Sequence, residues 1–235
     1  MLWLYGPPGV GRTTVAWEMY SHLVQAGIDC DFVDVDQVGI CYPEPARDPG
    51  RHRMKERNVD AVVAGFRAAG ARCLIVSGVV DPAFGVHVDQ IPHAAVTVFR
   101  LRADREVLRR RFTGRGGPAD LADKVLRQAD ALDAGTFADA CVDASGLPVN
   151  EVARRVGERT GGWPAPALGR STDAPEPSAV TAVGRSSALA KAEHSGDLPV
   201  LWLCGATGVG KSSVGFELYQ RVLGAAGASG HARTP

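Results

Sequence analysis

Gly6-Pro7-Pro8-Gly9-Val10-Gly11-Arg12-Thr13-Thr14 follows the apolar run Leu2-Trp3-Leu4-Tyr5 and precedes a helix-period stretch from Val15 to Val24. Strand, glycine-rich turn and helix in that order are the context in which a P-loop, or Walker A motif, holds phosphate. Glycines at 6, 9 and 11 let successive backbone N–H groups converge on an anion without Cβ interference, and the helix N-terminus adds partial positive charge. The expected nucleotide-binding set here is Gly6, Gly9, Val10, Gly11, Arg12, Thr13 and Thr14. Thr13 stands where the motif places the hydroxyl that ligates Mg²⁺. Arg12 stands where the motif has lysine, so the match is Gly-x4-Gly-Arg-Thr. A planar guanidinium fork in place of a compact ammonium is not a conservative exchange at a site built around a point charge.

The chain repeats this unit. Leu201-Trp202-Leu203-Cys204 leads into Gly205-Ala206-Thr207-Gly208-Val209-Gly210-Lys211-Ser212-Ser213, a complete motif whose nucleotide-binding set is Gly205, Gly208, Gly210, Lys211 and Ser212. Gly205 stands 199 positions after Gly6, and the same offset pairs Trp3 with Trp202, Val15 with Val214, Glu18 with Glu217 and Tyr20 with Tyr219. Matches on the helix face as well as in the loop point to a duplicated unit, a tandem repeat. The second copy continues only from Gly224 to Pro235 after its helix, so the expectation is a truncated P-loop unit of one strand, one loop and one helix.

Composition bounds the partners. The chain has 235 residues, 45% hydrophobic and 22% charged, a globular balance. Lys+Arg and Asp+Glu both number 26, for a formal net charge of +0, so bulk charge points to neither nucleic acid nor an acidic membrane. Five cysteines without C-x2-C spacing read as reduced thiols rather than a disulfide frame or zinc site. The chain enters a strand at once, and no stretch is long and apolar enough to cross a bilayer. A soluble, cytoplasmic protein is expected.

Along the chain, Asp31 to Asp36 alternates as a second strand ending in acids. From Arg51 to Ala69, Val59, Val62, Val63 and Phe66 define one buried helical face. Cys73-Leu74-Ile75-Val76 reads as a strand covered on both faces, closed by Ser77-Gly78. A strand from Ala95 to Leu101 precedes a helix capped by Asp104, a second helix from Leu121 to Leu132, a short strand over Ala140 to Asp143, and a helix from Glu151 to Arg159 capped by Asn150. This alternation predicts an α/β fold of the P-loop NTPase kind, a parallel sheet with helices on both faces. Ligands in such sheets bind beyond the carboxyl ends of the strands, where the P-loop, Asp34, Asp36, Ser77 and Gly78 converge. Residues 161–198 lose periodicity and are rich in Pro, Ala and Ser, so the expected organisation is a domain over 1–160, a flexible linker over 161–198 and the partial unit over 199–235.

On these residues, the first unit resembles the small P-loop kinases of the shikimate, gluconate, adenylylsulfate and nucleoside-monophosphate group. The P-loop, Asp34-Val35-Asp36 at the end of strand two, Ser77-Gly78 at the end of strand three and the arginine-rich stretch Arg105 to Arg115 carry the resemblance. It implies ATP and Mg²⁺ as cofactors, with Thr13 and Asp34 on the metal. It implies that Asp36 orients an acceptor hydroxyl. It also implies a lid in which Arg111 and Arg115 close over the moving phosphoryl group, where guanidinium forks stabilise developing charge. Arg12, Asp34, Asp36, Arg111 and Arg115 are thus the expected catalytic residues. Arg51-His52-Arg53-Met54-Lys55 falls where that group binds its acceptor, although a solvated helix start explains the same charges. Ala144 to Pro148 falls where it packs on adenine.

Three functions fit this reading. The preferred one is a phosphotransferase moving the ATP γ-phosphate to a small-molecule acceptor. The second is a nucleotide-binding module without kinase activity, with Arg12 keeping affinity and weakening chemistry. An ATPase motor of the AAA type is disfavoured, because strand three ends in Ser77-Gly78 and lacks a terminal acidic pair.

Overall fold

The computed structural model describes residues 1–161, 163–164 and 213–221. The chain divides into two units, Met1–Ala174 and Pro175–Pro235. In the first unit five parallel strands, β1 (Leu2–Tyr5), β2 (Cys30–Asp34), β3 (Cys73–Gly78), β4 (Thr97–Arg102) and β5 (Ala140–Asp143), lie in the order β2-β3-β1-β4-β5. The helices are α1 (Arg12–Gln25), α2 (His52–Ala68), α3 (Arg105–Gly114), α4 (Ala122–Ala134) and α5 (Val149–Arg159).

β1 is central and every one of its residues is buried, which is why it reads as an unbroken apolar run. Leu2 and Leu4 join one core with Ile75, Phe99 and Leu101, under Val15, Ala16 and Met19 of α1 and Val152, Ala153 and Val156 of α5. Trp3 and Tyr5 join the other with Leu74, Val76 and Val98, under Val59 and Val63 of α2. The period of two along each strand therefore feeds two cores, and the helices fall on both faces as expected.

Several boundaries shift. β2 stops at Asp34, and Asp36 lies in the turn beyond it. α5 starts at Val149 with Pro148 at its N-cap, so Asn150 sits inside the helix; its Oδ1 accepts from the N–H of Glu151 at 2.9 Å. Asp104 occupies the N-cap of α3 without a side-chain capping bond. A cap that the sequence did not name holds α2: Asp48 accepts from the N–H groups of Arg53 (3.1 Å) and Met54 (2.9 Å). Of the expected linker over 161–198, residues 162 and 165–198 lie outside the described residues, as does the second loop with Gly205, Gly208, Gly210, Lys211 and Ser212. Of the second unit the structure describes the helix over 213–221.

Candidate phosphate site at the switch point of the sheet

The chain leaves β1 for β2 on one side, and β4 lies on the other, so the turn after β1 opens at a reversal of strand order, where open α/β sheets hold ligands. That turn is the glycine-rich loop. Gly6 is required by proximity: a Cβ there would lie 2.3 Å from the carbonyl oxygen of Leu101. Gly11, the N-cap of α1, has φ 102°, a conformation that disfavours side chains.

Thr13, in the first turn of α1, is the point at which three elements meet. Its Oγ1 donates to Asp34 Oδ2 at 3.0 Å, and it lies 3.1 Å from Ser77 Oγ. Asp34 and Ser77 are register partners on β2 and β3, so the sheet delivers a carboxylate and a hydroxyl to the same place. Asp34 Oδ1 also accepts the N–H of Asp36 at 3.0 Å, fixing the turn that carries the second acid. These hard oxygens fit Mg²⁺, which takes few protein ligands and keeps phosphate and water for the rest. Among the described residues no cluster of three or more His, Cys, Asp or Glu is placed to hold a metal by itself.

Arg12 does not project freely into the loop. One guanidinium nitrogen donates to the carbonyl of Gly6, and another lies 3.7 Å from Asp36 Oδ2. The side chain is 13% exposed. Burial pushes its pKa down, while Asp36 and Asp34 push it back up; a guanidinium remains charged under such a balance. The other oxygen of Asp36 accepts from Lys55 Nζ at 3.2 Å, and this lysine is buried. The sequence left Lys55 between an acceptor-binding segment and a solvated helix start. The available signal was its spacing from Val59 and Val63, which puts it on the buried stripe of α2. Glu56, next in the chain, is also buried: it accepts the N–H of His87 at 2.9 Å, tying the segment after β3 to α2, and desolvation raises its carboxyl pKa.

The arginine-rich stretch is divided. Arg111 donates to the carbonyls of Val10 (3.2 Å) and Ala144 (3.3 Å), joining the P-loop to the loop after β5. Arg115 is exposed at the C-cap of α3. Both line a 150 Å³ cavity with Gly9, Gly11, Thr14, Leu147 and Val152. Arg115 also reaches the smaller hollow lined by Pro7, Gly11, Arg12 and Thr13. Arg105 and Arg109 point away, paired with Asp130 and Asp123 of α4. The structure thus brings together Gly9, Val10, Gly11, Thr14, Arg111 and Arg115 around one cavity, and Arg12, Thr13, Asp34 and Asp36 beside it.

This chain belongs to the AAA domain family, whose sequence pattern matches residues 3–130. Its fold is shared by solved structures of other proteins. A tunicamycin resistance protein from Deinococcus radiodurans superposes with a TM-score of 0.52 at 22% identity, covering 68% of this chain and 94% of that one. A sugar kinase from Janibacter sp. HTCC2649, solved without ligand, gives 0.51 at 19% identity, covering 70% and 95%. No curated protein matches the sequence. Among the described residues no helix is long and apolar enough to cross a membrane.

Proposed function

We propose that the first unit binds ATP with Mg²⁺ and transfers the γ-phosphoryl group to a hydroxyl of a small-molecule acceptor. The observation that carries this reading is the meeting of Thr13, Asp34 and Ser77 beside the Arg12–Asp36–Lys55 cluster. β3, Cys73-Leu74-Ile75-Val76-Ser77-Gly78, bears no carboxylate, so the acids of the site stand at the end of β2, on the side of α2. That arrangement favours transfer to an acceptor over a water-activating motor.

In this reading the P-loop amides hold the phosphates, and Leu147 and Val152 supply an apolar wall for the base in the 150 Å³ cavity. Thr13 and Asp34 would hold Mg²⁺, which when bound offsets charge on the β- and γ-oxygens. Ser77 orients the Thr13 hydroxyl. Asp36 receives the proton of the acceptor hydroxyl as the new P–O bond forms, and ADP is the leaving group. Arg115, exposed at the end of α3, can fold onto the phosphates, whereas Arg111 keeps the two loops in register. The tied-down Arg12 fork supports a second reading, a nucleotide-binding module without turnover. The free thiols Cys30, Cys41, Cys73 and Cys141 suit a reducing compartment, and we place the protein in the cytoplasm.

Calorimetric titration with ATP, with and without Mg²⁺, followed by a screen of hydroxylated acceptors for ADP release, tests the reading. Binding that requires Mg²⁺ and an acceptor that elicits ADP supports transfer. Binding without ADP release from any acceptor supports the module, and no heat at millimolar ATP overturns both.

A further inference from the structure

Lys55 is a buried cation of the site to which the proposed function gives no task. It lies four and eight residues before Val59 and Val63, on the stripe of α2 that faces the sheet. An ammonium there must be paired to offset its desolvation. Its stem crosses Gly39 so closely that a Cβ at that residue would come within 2.3 Å of Lys55 Cγ and Cε. Asp36 Oδ1, at 3.2 Å, is its single hydrogen-bond partner among the described residues, although an ammonium has three donors. Lys55 and Arg12 therefore share one carboxylate, each on its own oxygen.

Arg12 is poorly disposed to serve as the point charge of the loop. Its fork is committed to the Gly6 carbonyl and to Asp36, and it is mostly buried. A compact charge on a flexible four-carbon stem is what a terminal phosphate takes from a lysine, and Lys55 carries one on the carboxylate that Arg12 also contacts. We propose that Lys55 is the ammonium of this phosphate site: on nucleotide binding it leaves Asp36 for the terminal phosphate, taking the task of the P-loop lysine that Arg12 replaced. The proposal rests on the ATP-binding reading above. It also gives the movement a purpose, because the Asp36 oxygen that Lys55 vacates is the one then free for the acceptor hydroxyl.

The test compares ATP with ADP by calorimetry in Mg²⁺, using the full chain. Lys55→Met keeps the apolar stem and removes the charge; ATP affinity should fall about tenfold or more, with ADP affinity unchanged. Gly39→Ala is the companion variant, since it displaces the stem while leaving the charge in the chain, and the same ATP-selective loss is expected. Thermal melts of each variant verify folding. Arg12→Lys placed in the Lys55→Met protein should restore ATP affinity by returning the ammonium to the loop. ATP affinity that survives Lys55→Met, or an equal loss for both nucleotides, overturns the proposal alone. A wild-type protein that binds neither nucleotide overturns the ATP-binding reading and this one with it.

Discussion

The helix pattern of α1 recurs in the sequence 199 positions on, and the two helices differ in exposure. On α1, Val15 and Met19 are 3% and 6% exposed; 199 positions on, Val214 and Leu218 are 50% and 39% exposed on the helix over 213–221. The outer faces agree, with Trp17 at 55% and Phe216 at 60%. The inner face differs most, and in α1 that face rests on a sheet. A periodic apolar face in a sequence is thus a demand for a partner surface. The first P-loop is held because β1 is hydrogen-bonded on both sides, by β3 and β4, and because Asp34 and Ser77 arrive at Thr13 from neighbouring strands.

The largest expected effect tests that convergence. Asp34→Ala removes the carboxylate from Thr13 and from the Asp36 N–H; the Mg²⁺-dependent part of ATP affinity should fall about 100-fold or more, since losing a group that would hold the metal costs at least as much as losing a partner that orients one. Titrations with and without Mg²⁺ measure it. An unchanged Mg²⁺ dependence would mean that the strands hold the loop without serving it. Asp36→Ala comes next. It leaves Arg12 and Lys55 facing each other without their shared anion, and a loss of about 2 kcal/mol is expected in chemical denaturation. That is below the range for fully buried pairs because Asp36 itself is 41% exposed. Arg111→Ala should cost about 1 kcal/mol by freeing the Val10 and Ala144 carbonyls, with ATP affinity falling alongside. If stability holds while affinity falls, Arg111 acts on the nucleotide and not on the loops. Arg109→Ala breaks an exposed pair with Asp123, and its effect on stability should stay within about 0.5 kcal/mol.

The contrast also shows how much the sequence disclosed. Strand–loop–helix alternation and the two-sided apolar runs made the parallel sheet legible, because period and turn chemistry are local. The P-loop and Asp34 were legible for the same reason. Lys55 and Glu56 were not: a charge-rich helix start looks the same whether its lysine is solvated or drawn under the helix onto Asp36, and the deciding residue, Gly39, is remote in sequence. Nor did the arginine run reveal its own division. Whether an arginine on α3 meets Asp130, Asp123 or the Val10 carbonyl depends on where α4 and the P-loop lie, which is tertiary information.

The smallest effect is expected from the better motif. Lys211 completes a full Gly-x4-Gly-Lys-Ser, and on motif quality alone it should outrank Arg12. A glycine-rich loop binds phosphate only when its flanking strand and helix hold it in shape. The ordering entropy of that shape, about 1–2 kcal/mol per residue, has to be offset by burial elsewhere. In the first copy that burial comes from a five-stranded sheet with helices on both faces. Residues 199–235 read as one strand and one helix, and Val214 and Leu218, the counterparts of the residues that seat α1, are half-exposed or nearly so. We therefore expect one ATP site per chain, with affinity and stoichiometry unchanged by Lys211→Ala in the same titration in which Asp34→Ala fails to respond to Mg²⁺. Two equivalent sites, one lost with Lys211→Ala, would show that the second copy obtains its supporting surface in another way, and the rule drawn from the first would not extend to it.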